Sequence, residues 1–228
     1  MPNLTLERAF QSLKPAAVLD VGCGCGGHST RTLLELCDRV VAIDVAPRLA
    51  RWHEIAQSSK ARFSCMDALA LGFPRDAFPL VVESAALHHI ARWPEVLTEM
   101  LRVSSDSILL QEPLDDLRSA AKQRTFEAQG LFLSLQAEVG VPHYLHLTRD
   151  AILLALEGQA VIVETRLETS DAPVSFDEFF ESFDVFASQS GRKEYWLDKL
   201  QTMRSKFAGA PLCEDDTLTM WATKRTTR

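Results

Sequence analysis

Six short runs of aliphatic, largely β-branched residues recur along the chain with helical spacings between them, and this alternation constrains the fold more than any other feature. "AAVLDV" (16–21), "RVVAIDV" (39–45), "ARFSCMD" (61–67), "PLVVESAA" (79–86), "SILLQEP" (107–113) and "AVIVETRL" (160–167) read as strands. Between them, apolar residues recur three and four apart: Leu33, Leu34 and Cys37; Leu49, Trp52 and Ala56; Val96, Leu97, Met100 and Leu101; Ile152, Leu153 and Leu156. Pro47 and Pro94 suit first helical turns, Thr148 can cap the helix after it, and Gly158 suits that helix's end. Strand and helix repeated in this order predict an α/β, doubly wound, mostly parallel sheet covered on both faces, because parallel neighbours require crossover connections.

A chain of 228 residues that is 46% hydrophobic can bury one sizeable core, so a single domain with elaborations is expected over 1–228. Two segments lie outside the alternation. Residues 114–147 are helical by composition where a short connection would do, and 173–211 separate the sixth strand from a last one, "LTMWAT" (218–223). Both are expected to be helical lid insertions. In the second, Phe176, Phe179, Phe180, Phe183 and Phe186 recur at three- and four-residue spacing, which predicts five rings on one helix face. Such a stripe either packs on the body of the domain or touches a ligand, and packing is the commoner use.

The net charge of −7, with no basic run beyond the terminal "TKRTTR", argues against broad phosphate-backbone binding and predicts no nucleic-acid partner. No apolar run approaches the roughly 20 residues that span a bilayer, and the first ten residues lack the apolar centre of a signal peptide. A cytoplasmic protein without a membrane partner is expected. Five cysteines show neither zinc-ribbon nor disulfide-scaffold spacing, and Cys23 and Cys25 read as small residues in a tight turn, so no metal site is expected.

The stretch "LDVGCGCGGHS" (19–29) carries the chemistry. It places glycines at the carboxyl end of the first strand, where open α/β sheets bind ligands. Gly22, Gly24 and Gly26 permit positive φ and strip away β-carbons, so a ligand can lie against bare main chain near a helix start. Gly22, Gly24 and Gly27 also satisfy a dinucleotide fingerprint, with Asp44 at the interval of a ribose-binding acid, so a nicotinamide-dependent oxidoreductase fits the same letters. Asp20 separates the readings. A carboxylate two residues before the first glycine would repel a pyrophosphate, whereas a ligand with a cationic tail would be attracted.

These residues resemble the class I S-adenosylmethionine-dependent methyltransferases, in particular their small-molecule branch. That family's first motif stands here as "VLDVGCGCG" (18–26), and the resemblance covers about residues 18–113 and, more loosely, the final strands. It implies a Rossmann-like sheet of seven strands with an antiparallel last strand, and S-adenosylmethionine as cofactor. It also implies that Asp20, Gly22, Cys23, Gly24 and Gly26 surround the methionyl end, with His28 near its carboxylate. Asp44, followed by Val45, would accept both ribose hydroxyls, and Asp67 would take the adenine amino group with Met66 and Ala68 beside the ring. "LVVESAALHHI" (80–90) would pass its backbone at Ser84 under the methionyl part and open the active-site wall with His88 and His89, the candidate catalytic bases. His143, Tyr144 and His146 in "VPHYLHLT" are candidate acceptor-pocket residues or a polar loop surface. The sequence departs from the family where "RVSSDSILL" replaces a Lys-Pro-Gly-Gly turn, and where the fourth strand carries Val81 and Val82 in place of an aspartate, with Glu83 after them. The implied reaction is methyl transfer to an O, N, S or C nucleophile of a small organic molecule. A non-catalytic protein that binds the same cofactor is the remaining alternative.

Overall fold

The computed structural model describes residues 4–24, 28–45, 58–114, 117–144 and 147–225. These divide into two compact units: 1–112 with 147–167 and 218–228, and 113–146 with 168–217. The first holds most of a seven-stranded sheet, and the chain path below follows that sheet.

Helix α1 (Leu4–Leu13) leads into β1 (Val18–Val21), α2 (His28–Leu36), β2 (Val40–Asp44), β3 (Ala61–Cys65) and β4 (Phe78–Ser84). A 3-10 turn (Leu87–His89), α3 (Trp93–Val103), β5 (Ser104–Leu114), α5 (Arg149–Leu156), β6 (Ala160–Glu168) and β9 (Asp216–Lys224) complete the path, and the intervening labels belong to the second unit. The strand order is β3-β2-β1-β4-β5-β9-β6, with β1 to β5 parallel to one another. The last strand runs the other way. Arg225, at the end of β9, donates its amide to Gln159, before the start of β6, at 3.0 Å, and Thr223 stands 3.4 Å from Ser107 near the start of β5.

All four residues of β1 are buried, as are Leu80, Val81 and Val82 of β4 and Ile108, Leu109 and Leu110 of β5. Leu6, Ala9 and Phe10, spaced three and one apart on α1, join Val18, Val40, Leu80, Val82, Leu109 and Trp221 in one cluster. A polar tie fixes the same helix: Thr5 donates to Glu164 of β6 at 3.0 Å and Arg8 pairs with that carboxylate at 2.7 Å. The local signals for the helices hold where they fall on described residues. Pro94 sits in the first turn of α3, Thr148 accepts from the Ala151 amide to cap α5, and Gly158 closes that helix at φ +76°. Pro47 and the Leu49, Trp52 and Ala56 spacing lie outside the described residues.

The second unit contains α4 (Ala120–Glu138), the two-residue strands β7 (Pro173–Val174) and β8 (Leu212–Cys213), α6 (Phe176–Phe179), α7 (Phe183–Gln189) and α8 (Lys193–Phe207). The phenylalanine stripe is not one helix, as its spacing suggests, but two. Ser175 caps α6 by accepting from the Glu178 amide, the helix stops at Phe179, and the chain turns through 180–182 before α7 begins. Phe180 and Phe183 are nonetheless buried, and Phe132 of α4 meets the rings of Phe180, Phe183 and Phe186 at 6.0, 5.6 and 5.6 Å. The aromatic residues therefore form this unit's own core. Beside it Lys122, buried, donates to Asp216 at 2.8 Å and to the Glu214 carbonyl at 2.6 Å, and Arg118 reaches the same aspartate at 2.9 Å. A buried pair of this kind is costly to break from one side, about 3–5 kcal/mol, because the survivor is left as an uncompensated charge.

Candidate functional site

Because β3, β2, β1 and β4 are adjacent and parallel, the loops after them open at one edge of the sheet. Three strand spacings cover about 14 Å, a span suited to a nucleoside with a short amino-acid tail. The sequence-predicted residues on these loops are brought together there.

After β1, Gly22 takes φ +72° and Gly24 φ +64°, a left-handed backbone that other residues adopt at a cost. The amides of Gly22 and Cys23 both donate to the Ile43 carbonyl, at 2.9 and 3.0 Å, which pins the turn to the end of β2. Asp44 closes the arrangement by accepting from the Gly24 amide through Oδ2 at 2.9 Å. Among the described residues a β-carbon on Gly24 would meet nothing within 4 Å, whereas one on Gly22 would lie 2.3 Å from the Ala86 β-carbon. Gly24 thus presents bare main chain clear of the other described residues, while Gly22 is required because the β4 loop crosses it closely. The stretch fits a ligand laid against the backbone.

Asp20 is fully buried, and the hydroxyls of Ser29 and Thr30, in the first turn of α2, donate to its carboxylate at distances from 2.5 to 3.0 Å. Both of its oxygens are thus engaged inside the protein. Burial, reinforced by repulsion from Asp44, raises its pKa to about 6, against the pull of the two hydroxyls. Cys23 is buried as well, and burial together with the negative potential of Asp20 and Asp44 pushes its thiol well up, so it stays protonated and serves as a small wall residue.

On the next loop, Met66 donates its amide to the Asp44 carbonyl at 3.0 Å, and its sulfur accepts from Gly72 at 3.2 Å. Asp67 is exposed and folds its own turn by accepting from the Leu69 amide at 2.9 Å, with Ala68 buried beneath. Arg102 of α3 steadies this loop by donating to the carbonyls of Phe73 at 2.9 Å and Leu71 at 2.7 Å. Val45 is exposed at the end of β2.

Beyond β4, Ser84 donates to Gln111 at 3.3 Å, and Ala85 takes φ +55°, a left-handed conformation in a residue with a β-carbon. Its amide donates to the Gln111 carbonyl at 2.8 Å, which holds the kink. Strain stored at such a position is characteristic of functional loops. His88 is buried and its Nδ1 lies 2.7 Å from Glu112, while the ring of His89 sits 4.3 Å from that of His88. In the second unit, His143 bonds Gln136 through Nδ1 at 2.8 Å and Tyr144 is exposed. His28 opens α2, but its side chain, like Gly26 and His146, lies outside the described residues.

Sequence reading missed Glu112 altogether and treated Glu83 only as a departure. Both glutamates stand inside otherwise apolar strands, "LVVES" and "LLQEP", and a buried acid in such a run is the signal that was available.

Fold and site together define a doubly wound α/β protein whose glycine turn lies at a topological switch point of the sheet. Residues 19–107 match the family described as "Methyltransferase domain". Among curated relatives, ajmaline N-methyltransferase of Rauvolfia serpentina is 32% identical over 97 residues, 40% of this chain and 33% of that protein. A tRNA U34 carboxymethyltransferase of Shewanella baltica is 34% identical over 88 residues, 37% of this chain and 27% of that protein. The chain thus spans about a third or less of the length of these relatives. Among solved structures, a Bacillus halodurans protein superposes with TM-score 0.69 at 19% identity, covering 97% of this chain and 99% of the other. The N-methyltransferase NodS of Bradyrhizobium japonicum, solved with S-adenosyl-L-homocysteine, gives TM-score 0.56 at 15% identity over 97% of this chain and 84% of that one. Residues 19–107 thus carry a methyltransferase domain, and the fold is that of the class I S-adenosylmethionine-dependent methyltransferases.

Proposed function

We propose that the protein transfers the methyl group of S-adenosylmethionine to an O, N, S or C nucleophile of a small organic molecule. The observation that carries this reading is the interlocked trio of Gly22, Gly24 and Asp44, a side-chain-free turn fastened to an acid at the end of the neighbouring strand. Asp44 has the lone pairs to hold a cis-diol, Asp67 and Met66 stand at the adenine end, and the buried charge of Asp20 suits a cationic tail. When bound, the cofactor supplies a methyl carbon on a cationic sulfur that departs as a neutral thioether. What remains for the chain is to orient the partners and exclude water, and orientation of this kind contributes about 7–11 kcal/mol. His88 and His89 are the titratable groups next to the strained turn after β4, and His88 is the stronger candidate for a base because Glu112 orients it.

Acceptor recognition falls, in this reading, to the two insertions that serve as lids, with His143 and Tyr144 as its candidate residues. A net charge of −7 favours a small molecule over a polynucleotide. Cys23, Cys37, Cys65 and Cys213 are free thiols, which suits the cytoplasm, and among the described residues no helix is long and apolar enough to cross a membrane.

Calorimetry tests the reading: S-adenosylmethionine and S-adenosylhomocysteine should bind, and NAD should not. Saturable NAD binding without S-adenosylmethionine binding would favour the oxidoreductase. Cofactor binding with no S-adenosylhomocysteine formed from a broad panel of hydroxyl, amine and thiol acceptors would favour a protein that only binds.

A pH dependence follows from Asp20. The ligand's ammonium favours the carboxylate, so below about pH 6 binding must first release a proton. Affinity for S-adenosylhomocysteine should therefore fall about tenfold from pH 7 to pH 5. In Asp20→Asn the affinity should be lower and flat across that range, and a wild-type profile that is also flat would remove Asp20 from the site.

A further inference from the structure

The turn that follows β4 rests on two glutamates with no exposure, and their arrangement carries more than support. Glu83 lies opposite Leu110 in the parallel β4–β5 register, so Glu112, two residues further along β5, shares its face of the sheet. Both carboxylates converge on one amide, since Leu87 donates to Glu112 Oε1 at 2.8 Å and to Glu83 Oε1 at 3.2 Å. Glu83 Oε1 also accepts from the Ala86 amide at 2.5 Å, and Glu112 Oε2 meets His88 Nδ1 at 2.7 Å. That leaves Glu83 Oε2 as a buried oxygen with no donor among the described residues.

Two bare carboxylates so close together, both out of water, repel each other and lose their solvation. One proton on Glu83 Oε2 removes the repulsion and turns an orphan acceptor into a donor facing Glu112. The electrostatics agree. Burial, then the charge of Glu112, drives the Glu83 carboxyl well above the ordinary range. For Glu112 burial acts upward too, but the bonds from His88, Glu83 and Leu87 outweigh it and hold the group below that range. Arg92 pairs with Glu95 and Arg102 with Glu99 on α3, and Val21, not Asp20, stands opposite Glu83 on β1. His89 touches the network through the ring of His88.

We propose that Glu83 and Glu112 share one proton, carried by Glu83, and that the negative charge left on Glu112 positions His88 as the Nδ1–H tautomer with Nε2 as its basic nitrogen. This rests on the reading of His88 as the base of a methyl transfer and narrows the acceptor to a group that must shed a proton, a hydroxyl or an ammonium. The acceptor would pass its proton to His88 Nε2, and the electron pair so freed would form the bond to the methyl carbon as the carbon–sulfur bond breaks and its pair returns to sulfur, leaving a neutral thioether; Glu112 balances the imidazolium until the proton leaves to solvent. Glu83 and Glu112 are positioning residues, acting through His88 and through the turn.

Infrared and nitrogen NMR spectra of the full chain with S-adenosylhomocysteine test the proposal without an identified acceptor. At pH 8 the wild type should show the carbonyl band of one buried protonated carboxyl, and Glu83→Gln should lack it. His88 should be the Nδ1–H tautomer in the wild type and in Glu83→Gln, whose amide N–H still donates to Glu112, and should shift toward Nε2–H in Glu112→Gln. A wild-type spectrum with no such band overturns the shared proton even if neither variant folds, and an unmoved His88 signal in Glu112→Gln overturns the positioning. If S-adenosylhomocysteine does not bind while band and tautomer are as expected, the methyl-transfer reading falls and the glutamate pair stands.

Discussion

Gly22→Ala should all but abolish binding of S-adenosylmethionine while leaving most of the fold intact. The new β-carbon would lie 2.3 Å from that of Ala86, and because both atoms are fixed to backbone neither can swing aside. A left-handed φ of +72° adds about 1–2 kcal/mol for a residue with a side chain, and the overpacking about 1–3 kcal/mol. The sum, about 2–5 kcal/mol, is absorbed most cheaply by moving the turn. The Gly22 and Cys23 amides would then leave the Ile43 carbonyl, and Gly24 would leave Asp44. Calorimetry with S-adenosylhomocysteine should show affinity reduced by at least about a hundredfold, a loss of about 2.7 kcal/mol. Gly158→Ala is the control, since it has φ +76° with open space around the added carbon and lies at the far end of the sheet from the binding loops. It should lower the melting temperature without weakening binding. Binding by Gly22→Ala at wild-type affinity would show that the close crossing of the β1 and β4 loops is irrelevant to the ligand.

Asp44→Ala should be nearly as damaging, by a different route. The carboxylate fastens the Gly24 amide and, in the proposed function, also receives the ribose diol, and charge-assisted hydrogen bonds contribute about 1.5–3 kcal/mol each. Losing a loop bond and the sugar contacts together predicts a deficit of about 3–4 kcal/mol, or two to three orders of magnitude in affinity. Asp44→Asn keeps an oxygen for the Gly24 amide and should recover part of the loss. Titration of the three proteins with S-adenosylhomocysteine decides the point, and equal affinity in all three would remove Asp44 from the binding site.

Much of this was legible in the residues. The strands announced themselves because parallel strands are buried on both faces and so are written in valine, isoleucine and leucine. The glycine turn was readable because a residue without a β-carbon adopts its φ at no steric cost. The start of β5 was less clear, since "SSDS" has the polarity of a loop. The structure pairs Ser104 with Phe78 and satisfies the hydroxyls locally, Ser104 donating to the Ser107 carbonyl at 2.9 Å and Ser107 to Asp106 at 2.6 Å. The break between α6 and α7 left no trace because no glycine or proline marks 180–182, and the phenylalanine period runs through it undisturbed. The two glutamates were hidden for a related reason. Their meaning depends on the register of two strands 27 residues apart, as for Ser84 and Gln111, and one-dimensional patterns do not carry register.

Ala85 has one further consequence. Its left-handed backbone is a stress the chain retains although glycine, which adopts φ +55° without penalty, would relieve it. A methyl group kept at such a price, on the loop between Ser84 and Ala86, narrows the room for wandering conformations when the pocket is unfilled. The bend is thus built into the backbone itself, and a ligand bound beside this loop would meet a wall already shaped instead of having to build one.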